Sequence, residues 1–121
     1  MATVYTDDGE EWTVDVLDGG SSMPSGGYWI AWGTSSAAAS KTDATLSSER
    51  AEARVQATMS QPSANITQAV STITASSTGT IVESGLFSSS AAGELIVRGD
   101  FTGIALETND KIEFTYQITW S

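Results

Sequence analysis

The chain has no cysteine and no histidine among its 121 residues. It therefore cannot form disulfides, zinc sites built on thiolate or imidazole, or any catalytic arrangement that uses a histidine base. Basic residues are also scarce, with 5 Lys+Arg against 15 Asp+Glu and a formal net charge of −10. This balance argues against nucleic acid and anionic membranes as partners and favours a basic partner.

Long hydrophobic runs are absent as well. No stretch approaches the roughly 18 apolar residues of a membrane-spanning helix, and the N-terminus lacks the basic and then apolar regions of a signal peptide. We therefore expect a chain that is made in the cytoplasm without export and that does not contact membranes. The length predicts one folded domain with a single core.

The stretch Lys111–Trp120 is the strongest structural signal in the sequence. Its apolar residues fall on every second position, and many are aromatic or β-branched. A β-strand places alternate side chains on opposite faces, whereas a helix would spread them around its circumference. The sequence thus predicts a strand whose apolar face needs a second layer over it, and the residues on that face are Ile112, Phe114, Tyr116, Ile118 and Trp120.

Similar short segments recur about every ten residues, separated by turn signals, and no segment predicts a convincing helix. Such spacing is typical of β-sandwiches and jelly rolls. The prediction is an all-β fold, a two-layer antiparallel β-sandwich or jelly-roll-like domain of about eight strands. The predicted strands are 3–6, 11–17, 28–33, 50–60, 66–76, 80–87, 94–101 and 111–120.

The first 20 residues carry six acidic side chains and no basic one. An Asp8-Gly9 turn signal lies between Thr3–Thr6 and Glu11–Leu17, and the second segment alternates apolar and polar residues. This pattern predicts an acidic N-terminal arm or β-hairpin. We expect a loop at Asp18–Gly27 to separate it from the remainder of the chain.

Two units are thus predicted within one globular domain: the acidic arm or hairpin, 1–20, and the β-sandwich, 28–121. A long polar loop follows at 34–49, and loops of this length are often functional. Further on, Arg50 and Arg54 share one predicted strand face. They indicate either an outer face neutralised by nearby acids or half of a salt-bridge network between subunits.

Glu83 is the acidic residue embedded in an apolar strand context. It could serve glycoside hydrolysis with a second acid such as Asp100, or form a structural ion pair with Arg98 of the neighbouring strand. We predict the ion pair between Glu83 and Arg98, and hence no enzymatic activity, no catalytic residues and no cofactor. The acidic run Asp7–Glu11 lacks the order of ligands of an EF-hand, so no metal site is predicted.

Three aromatic residues, Tyr28, Trp29 and Trp32, occur within five positions. Such a group could form a platform on which sugars stack. Burial in the core is the interpretation we favour, because aromatic side chains supply much of the buried area of a small β-protein.

Several segments follow one another in a characteristic order: a strand that ends in Gly-Thr, a loop of small residues, an acidic segment and an Arg-Val strand, followed by two further strands. These segments are Ile30–Thr34, Thr42–Glu49, Arg54-Val55, Thr80–Phe87 and Gly93–Arg98. Their order resembles that of a group of small virion structural proteins of tailed bacteriophages. The resemblance spans about 28–121 and does not include the acidic N-terminus.

The resemblance implies a non-enzymatic component of the virion. One placement is a capsid decoration (cement) protein on the head, a homotrimer at local symmetry axes that bridges neighbouring copies of the major capsid protein. A short module of the tail fibre or tail tip is the alternative, and a carbohydrate-binding β-sandwich is a second. For the decoration protein we expect the N-terminal segment to contact the capsid, through Tyr5, Asp7, Asp8, Glu10, Glu11 and Trp12.

Overall fold

The computed structural model describes residues 2–20 and 27–120. In these ranges the chain forms eight strands and one helix. The elements are β1 (Ala2–Tyr5), α1 (Asp7–Asp18), β2 (Trp29–Gly33), β3 (Val55–Gln56), β4 (Thr58–Ser63), β5 (Ile66–Thr74), β6 (Gly79–Phe87), β7 (Leu95–Leu106) and β8 (Lys111–Thr119).

The strands form two antiparallel sheets, as the predicted all-β sandwich requires. The larger sheet has five strands in the order β1-β7-β6-β2-β3, and the smaller has three in the order β4-β5-β8. Apolar side chains from both sheets meet between them, among them Ile30, Trp32 and Leu86 from the larger sheet and Ile73 from the smaller. Each of these is at most 2% exposed, and burying such a side chain contributes about 1.5–3 kcal/mol.

The predicted stripe on β8 faces this core, but its burial is uneven. Tyr116 is buried and its hydroxyl forms a hydrogen bond with the hydroxyl of Ser84 on β6. Ile112, Phe114 and Ile118 are half-buried. The cause is the position of β8 at the edge of the smaller sheet, where one side has no neighbouring strand.

The predicted N-terminal hairpin is wrong in its second half. Strand β1 forms as expected and pairs with β7, but residues 7–18 form α1 instead of a strand. Thr6 caps the helix, because its hydroxyl accepts the N–H of Gly9 at 2.9 Å, and acidic residues in the first turn stabilise the positive end of the helix dipole. Gly19 ends the helix in the left-handed conformation, with φ of 81°.

The strand predicted at 50–60 is also wrong in part. Its first half is irregular, and Ala51 and Ala53 are exposed where an inward position was expected. The chain then passes from the larger to the smaller sheet through the buried Ala57, between β3 and β4. Strand β4 continues through Pro62 with an irregular register, which is tolerated because β4 is an edge strand.

The predicted loop Asp18–Gly27 lies for the most part outside the described residues. The loop at 34–49 is present, and it lies against the outer face of the larger sheet, where Leu46 packs with Ala31, Phe87 and Leu95. Within 2–20 and 27–120, no helix has the length and apolar character to cross a membrane.

Two arginines that follow the loop 34–49 are each neutralised by an acidic residue of the same chain. Arg50 pairs with Glu52 at 2.8 Å, and Arg54 pairs with Glu49 at 3.0 Å. The Arg54 guanidinium also stacks over the Phe87 ring at 3.6 Å. This arrangement corresponds to the first of the two interpretations given above, an outer face neutralised by nearby acids.

Candidate functional site

An apolar groove of about 620 Å³ lies at one end of the sandwich. Helix α1 forms one wall, and the ends of β1, β4 and β8 form the other. Apolar pockets of this size are the usual places where proteins bind partners or ligands. Its large apolar side chains are Tyr5, Trp12, Val16, Leu17, Tyr28, Met59, Leu86, Ile96, Ile118 and Trp120.

The aromatic side chains of the groove are held in two edge-to-face pairs. The rings of Tyr5 and Trp120 lie 5.8 Å apart at 73°, and those of Trp12 and Tyr28 lie 5.5 Å apart at 83°. Such pairs are favourable beyond the area that they bury. Burial raises the pKa of Tyr28 to about 12 and also raises the pKa of Tyr5, so both hydroxyls are neutral over the physiological range.

Helix α1 is fixed to the sheet at its first turn. The backbone N–H of Thr6 donates to the carbonyl of Ile96 at 3.0 Å, and the Thr6 hydroxyl donates to the carbonyl of Leu95. Gly9 lies directly on β7, where a Cβ atom would come within 2.5 Å of the Ile96 carbonyl oxygen. Farther along, the Thr13 hydroxyl bonds to the hydroxyl of Tyr5.

The helix that walls the groove is strongly acidic. On one side Lys41 pairs with Glu10 at 2.6 Å and approaches Asp7 at 3.9 Å, and the hydrogen bond to Glu10 raises the pKa of Lys41. Asp8 and Glu11, four and one positions before Trp12, have no ion pair among the described residues. The helix therefore presents uncompensated negative charge beside an apolar groove.

A second cluster lies on the outer face of the larger sheet, around the pair predicted between Glu83 and Arg98. The two side chains are fully buried and form an ion pair at 3.0 Å. Glu83 also accepts the backbone N–H groups of Ser35, Ser47 and Ser48 at 2.9–3.0 Å. Each carboxylate oxygen therefore has at least two donors, and neither is left to act on a substrate.

Arg98 and Asp100 bind other parts of the same loop. Arg98 donates to the Ala37 carbonyl at 3.0 Å and pairs with Asp43 at 3.1 Å. Asp100 accepts the backbone N–H of Ala39 at 2.7 Å. The cluster thus holds the loop 34–49 to the sheet, and Asp100, which lies opposite Glu83 on the neighbouring strand, contributes the hydrogen bond that it accepts from Ala39.

The residues predicted to contact a capsid divide into two groups. Tyr5 and Trp12 lie together in the groove, although they come from different elements. Of the four acids, Asp7 and Glu10 face Lys41, while Asp8 and Glu11 are partly or fully open to solvent on α1.

Sequence reasoning missed the other walls of the groove. Trp120 was predicted to be buried with the stripe of β8, but it is 45% exposed and lies against Tyr5. Leu17 was assigned to a strand, but it is 81% exposed on α1. A helix signal at Thr6 and the first-turn acids could have revealed this face, since the spacing of Trp12 and Val16 also fits one helix face.

A sugar platform of Tyr28, Trp29 and Trp32 does not form. Trp32 is 1% exposed and belongs to the core, where its ring meets Phe114 edge-on at 6.3 Å. Tyr28 turns to Trp12 in the groove instead. The three rings therefore do not share one open face.

Neither the protein-family models nor the curated proteins nor the solved structures contain a match to this chain. Among the described residues, no group of three or more acidic side chains is placed to hold a metal ion. The arrangement that remains, an apolar groove beside a negatively charged helix, is suited to binding an apolar surface that carries positive charge.

Proposed function

We propose that this chain is a non-enzymatic structural protein that docks on a larger protein assembly. We further propose that the assembly is the head of a tailed bacteriophage, where the chain acts as a capsid decoration (cement) protein on the major capsid protein. The phage placement rests on the resemblance described above. The docking role rests on one observation, the aromatic groove beside the acidic helix α1.

The groove has the composition of a protein interface. Tryptophan and tyrosine are enriched among interface hot spots, and Tyr5, Trp12, Tyr28 and Trp120 all lie in this one groove. The neighbouring Leu17 is 81% exposed and extends the apolar surface that these rings offer to a partner. With a net charge of −10, the chain attracts a basic surface and repels an acidic one.

The buried polar cluster supports a structural role rather than a catalytic one. Glu83 is the acid that sequence analysis singled out for chemistry, and its oxygens are occupied by Arg98 and by backbone N–H groups of the loop. A catalytic carboxylate must reach a substrate, whereas this one has no exposed surface.

In this proposal the mechanism is mechanical. Each copy places its groove against a capsid subunit, and a trimer at a local symmetry axis joins neighbouring subunits through several such contacts at once. Contacts that are individually modest then resist expansion of the shell together. Acidic residues of α1, Asp8 and Glu11 among them, steer the copies toward basic patches on the capsid.

The test is the position of the protein in virions of the phage that encodes it. Cryo-electron microscopy of intact particles, with antibody labelling of this chain, should place it on the head shell. Density at the tail tip would favour the tail module instead. Absence from the particles, or binding to a glycan array with a change in tryptophan emission, would overturn the proposal.

The groove is tested separately with Trp12→Ala. This change removes a wall of the groove and should lower the occupancy of the protein on particles that lack the wild-type copy. Val14→Ala is the matched control, because Val14 lies on the same helix, is 54% exposed and does not line the groove. Equal occupancy for both variants would contradict the assignment of the groove as the docking surface.

A further inference from the structure

The smaller sheet covers only part of the larger one. The two sheets are joined on one side, where the chain crosses at Ala57 from β3 to β4. In the smaller sheet, β8 is the strand farthest from this crossing. The hydrogen bond between the hydroxyls of Tyr116 and Ser84 places β8 opposite β6 of the larger sheet. Strands β7 and β1 of the larger sheet therefore extend beyond it.

This overhang leaves a cleft of about 480 Å³ beside β8. One wall is β8, residues 112–117, and the floor is formed by β1 and β7 with Thr3, Val97, Gly99 and Phe101. Ile104, at one end of the cleft, is 41% exposed. The cleft lies where a fourth strand of the smaller sheet would lie.

The free edge of β8 has backbone groups ready for such a strand. Trp120 N–H donates to the Asn65 carbonyl at 2.8 Å, and Ala75 N–H donates to the Asp110 carbonyl at 2.7 Å. Both pairs continue the register of β5 and β8. Since bonded and non-bonded pairs alternate in an antiparallel ladder, the even-numbered residues of β8 bond to β5 and the odd-numbered ones direct their N–H and C=O groups outward.

The outward groups include those of Glu113, Thr115 and Gln117, and β8 has no second neighbour among the described strands. An exposed edge of this length is a template for pairing with another chain. A strand added there would bond to these three residues and turn every second side chain into the cleft.

We propose that β8 and the adjoining cleft form a strand-addition site for an extended segment of a partner protein. The segment alternates apolar residues, which fill the cleft, with polar residues that include lysine or arginine. The charge follows from the whole chain, which is strongly negative, and from Glu113, whose exposed side chain lies on β8 beside the place of the added strand.

A second copy of this chain does not fit the site through its own β8. Joining two copies edge to edge would continue the smaller sheet across both. The overhanging β7 and β1 of each copy would then occupy the same space under the junction. The occupant is therefore a different, cationic chain. The inference does not depend on the phage placement.

The experiment uses the full chain and a synthetic acetylated peptide that alternates valine with lysine and threonine. Amide hydrogen exchange, followed residue by residue by NMR, is measured with and without the peptide. In the free protein we expect fast exchange at Glu113, Thr115 and Gln117 and slow exchange at Phe114 and Tyr116. The peptide should slow the first three, and a glutamate version of the peptide should bind about ten-fold more weakly or worse.

A matched pair of variants tests the backbone contact. Thr115→Pro removes an outward N–H that β5 does not use, so it should weaken peptide binding by about ten-fold or more. Thr115→Val keeps that N–H and should bind as the wild type does. Protection in the groove instead of at β8, or no protection at all, would overturn the proposal. Slower exchange of the outward amides of β8 at higher protein concentration, without peptide, would also overturn the proposal. It would show that a second copy of the chain pairs with this edge. These readouts stand even if the proline variant does not fold.

Discussion

Glu83 accepts two hydrogen bonds from Arg98 on one oxygen, Oε1, at 3.2 Å from Nε and 3.0 Å from Nη2. Neither side chain has exposed surface. A Cβ atom at Gly33 would come within 2.6 Å of the other oxygen, Oε2, so the absence of a side chain there leaves room for the carboxylate. The pair and the loop around it form one unit, because Ser35 and Ser48 donate their N–H groups to Oε2.

Replacing Glu83 with glutamine should destabilise the protein strongly. Arg98 would keep its charge inside the fold and lose its buried partner, and breaking a buried pair in this way costs about 3–5 kcal/mol. Urea unfolding followed by tryptophan emission measures the change. The double variant Glu83→Gln with Arg98→Met should lose less than the sum of the two single changes. An unchanged free energy of unfolding together with loss of a glycan-hydrolysing activity would instead assign Glu83 to catalysis.

The sequence allowed the pair to be predicted but not its other partners. Glu83 lies among apolar residues on one strand and Arg98 on the next, and buried charges need partners. The loop contributes backbone N–H groups of Ser35, Ser47 and Ser48. Every residue except proline has such a group, so no side-chain pattern could reveal which ones bind.

The helix α1 escaped prediction for a different reason. Trp12, Val14 and Val16 alternate as a strand would, while Trp12 and Val16 also stand four apart, on one side of a helix. The structure resolves the ambiguity, since Val14 is 54% exposed. The capping hydroxyl of Thr6 and the contact of Gly9 with β7 stabilise the helical alternative. The groove followed from this helix and could not be predicted without it.

Gly9→Ala separates two opposing effects on α1. In an isolated helix alanine is better than glycine by about 1 kcal/mol. Here the new methyl group would lie 2.5 Å from the Ile96 carbonyl oxygen, part of the backbone of a central strand. We expect net destabilisation by about 1–3 kcal/mol, measured by urea unfolding, and a shift of tryptophan emission as Trp12 moves. Glu11→Ala, on the exposed side, should change little. A more stable Gly9→Ala would show that α1 is not held closely to β7.

Ser71 and Ser84 provide a matched test of buried hydroxyls. In the parts of the chain that the structure describes, the Ser71 hydroxyl is the buried side-chain polar group without a hydrogen-bond partner, whereas the Ser84 hydroxyl bonds to Tyr116. Ser71→Ala should leave the free energy of unfolding unchanged or raise it slightly. Ser84→Ala should lower it by about 1–3 kcal/mol, since the Tyr116 hydroxyl would lose its partner in the core. The opposite order of the two variants in chemical denaturation would contradict this assignment.

Glu52 should make the fold sensitive to acid. Its burial acts to raise its pKa, but hydrogen bonds outweigh that effect. They come from the Ser76 N–H at 3.0 Å, from Arg50 at 2.8 and 3.0 Å and from the Trp32 indole at 3.2 Å. The net pKa falls to about 2 from an ordinary value of 4.5.

Because the pKa of Glu52 is lower in the folded chain than in the unfolded one, its contribution to stability is complete above pH 4.5 and is lost as the pH falls toward about 2. Glu52→Gln cannot titrate. The difference in free energy of unfolding between the wild type and this variant should therefore narrow by about 2–3 kcal/mol between neutral pH and about pH 2. Urea titrations of both proteins across that range measure it. If the two free energies of unfolding change with pH in parallel, the Glu52 contacts do not persist in solution. If they approach each other only below pH 4.5, the acid sensitivity belongs to the Glu52 carboxylate.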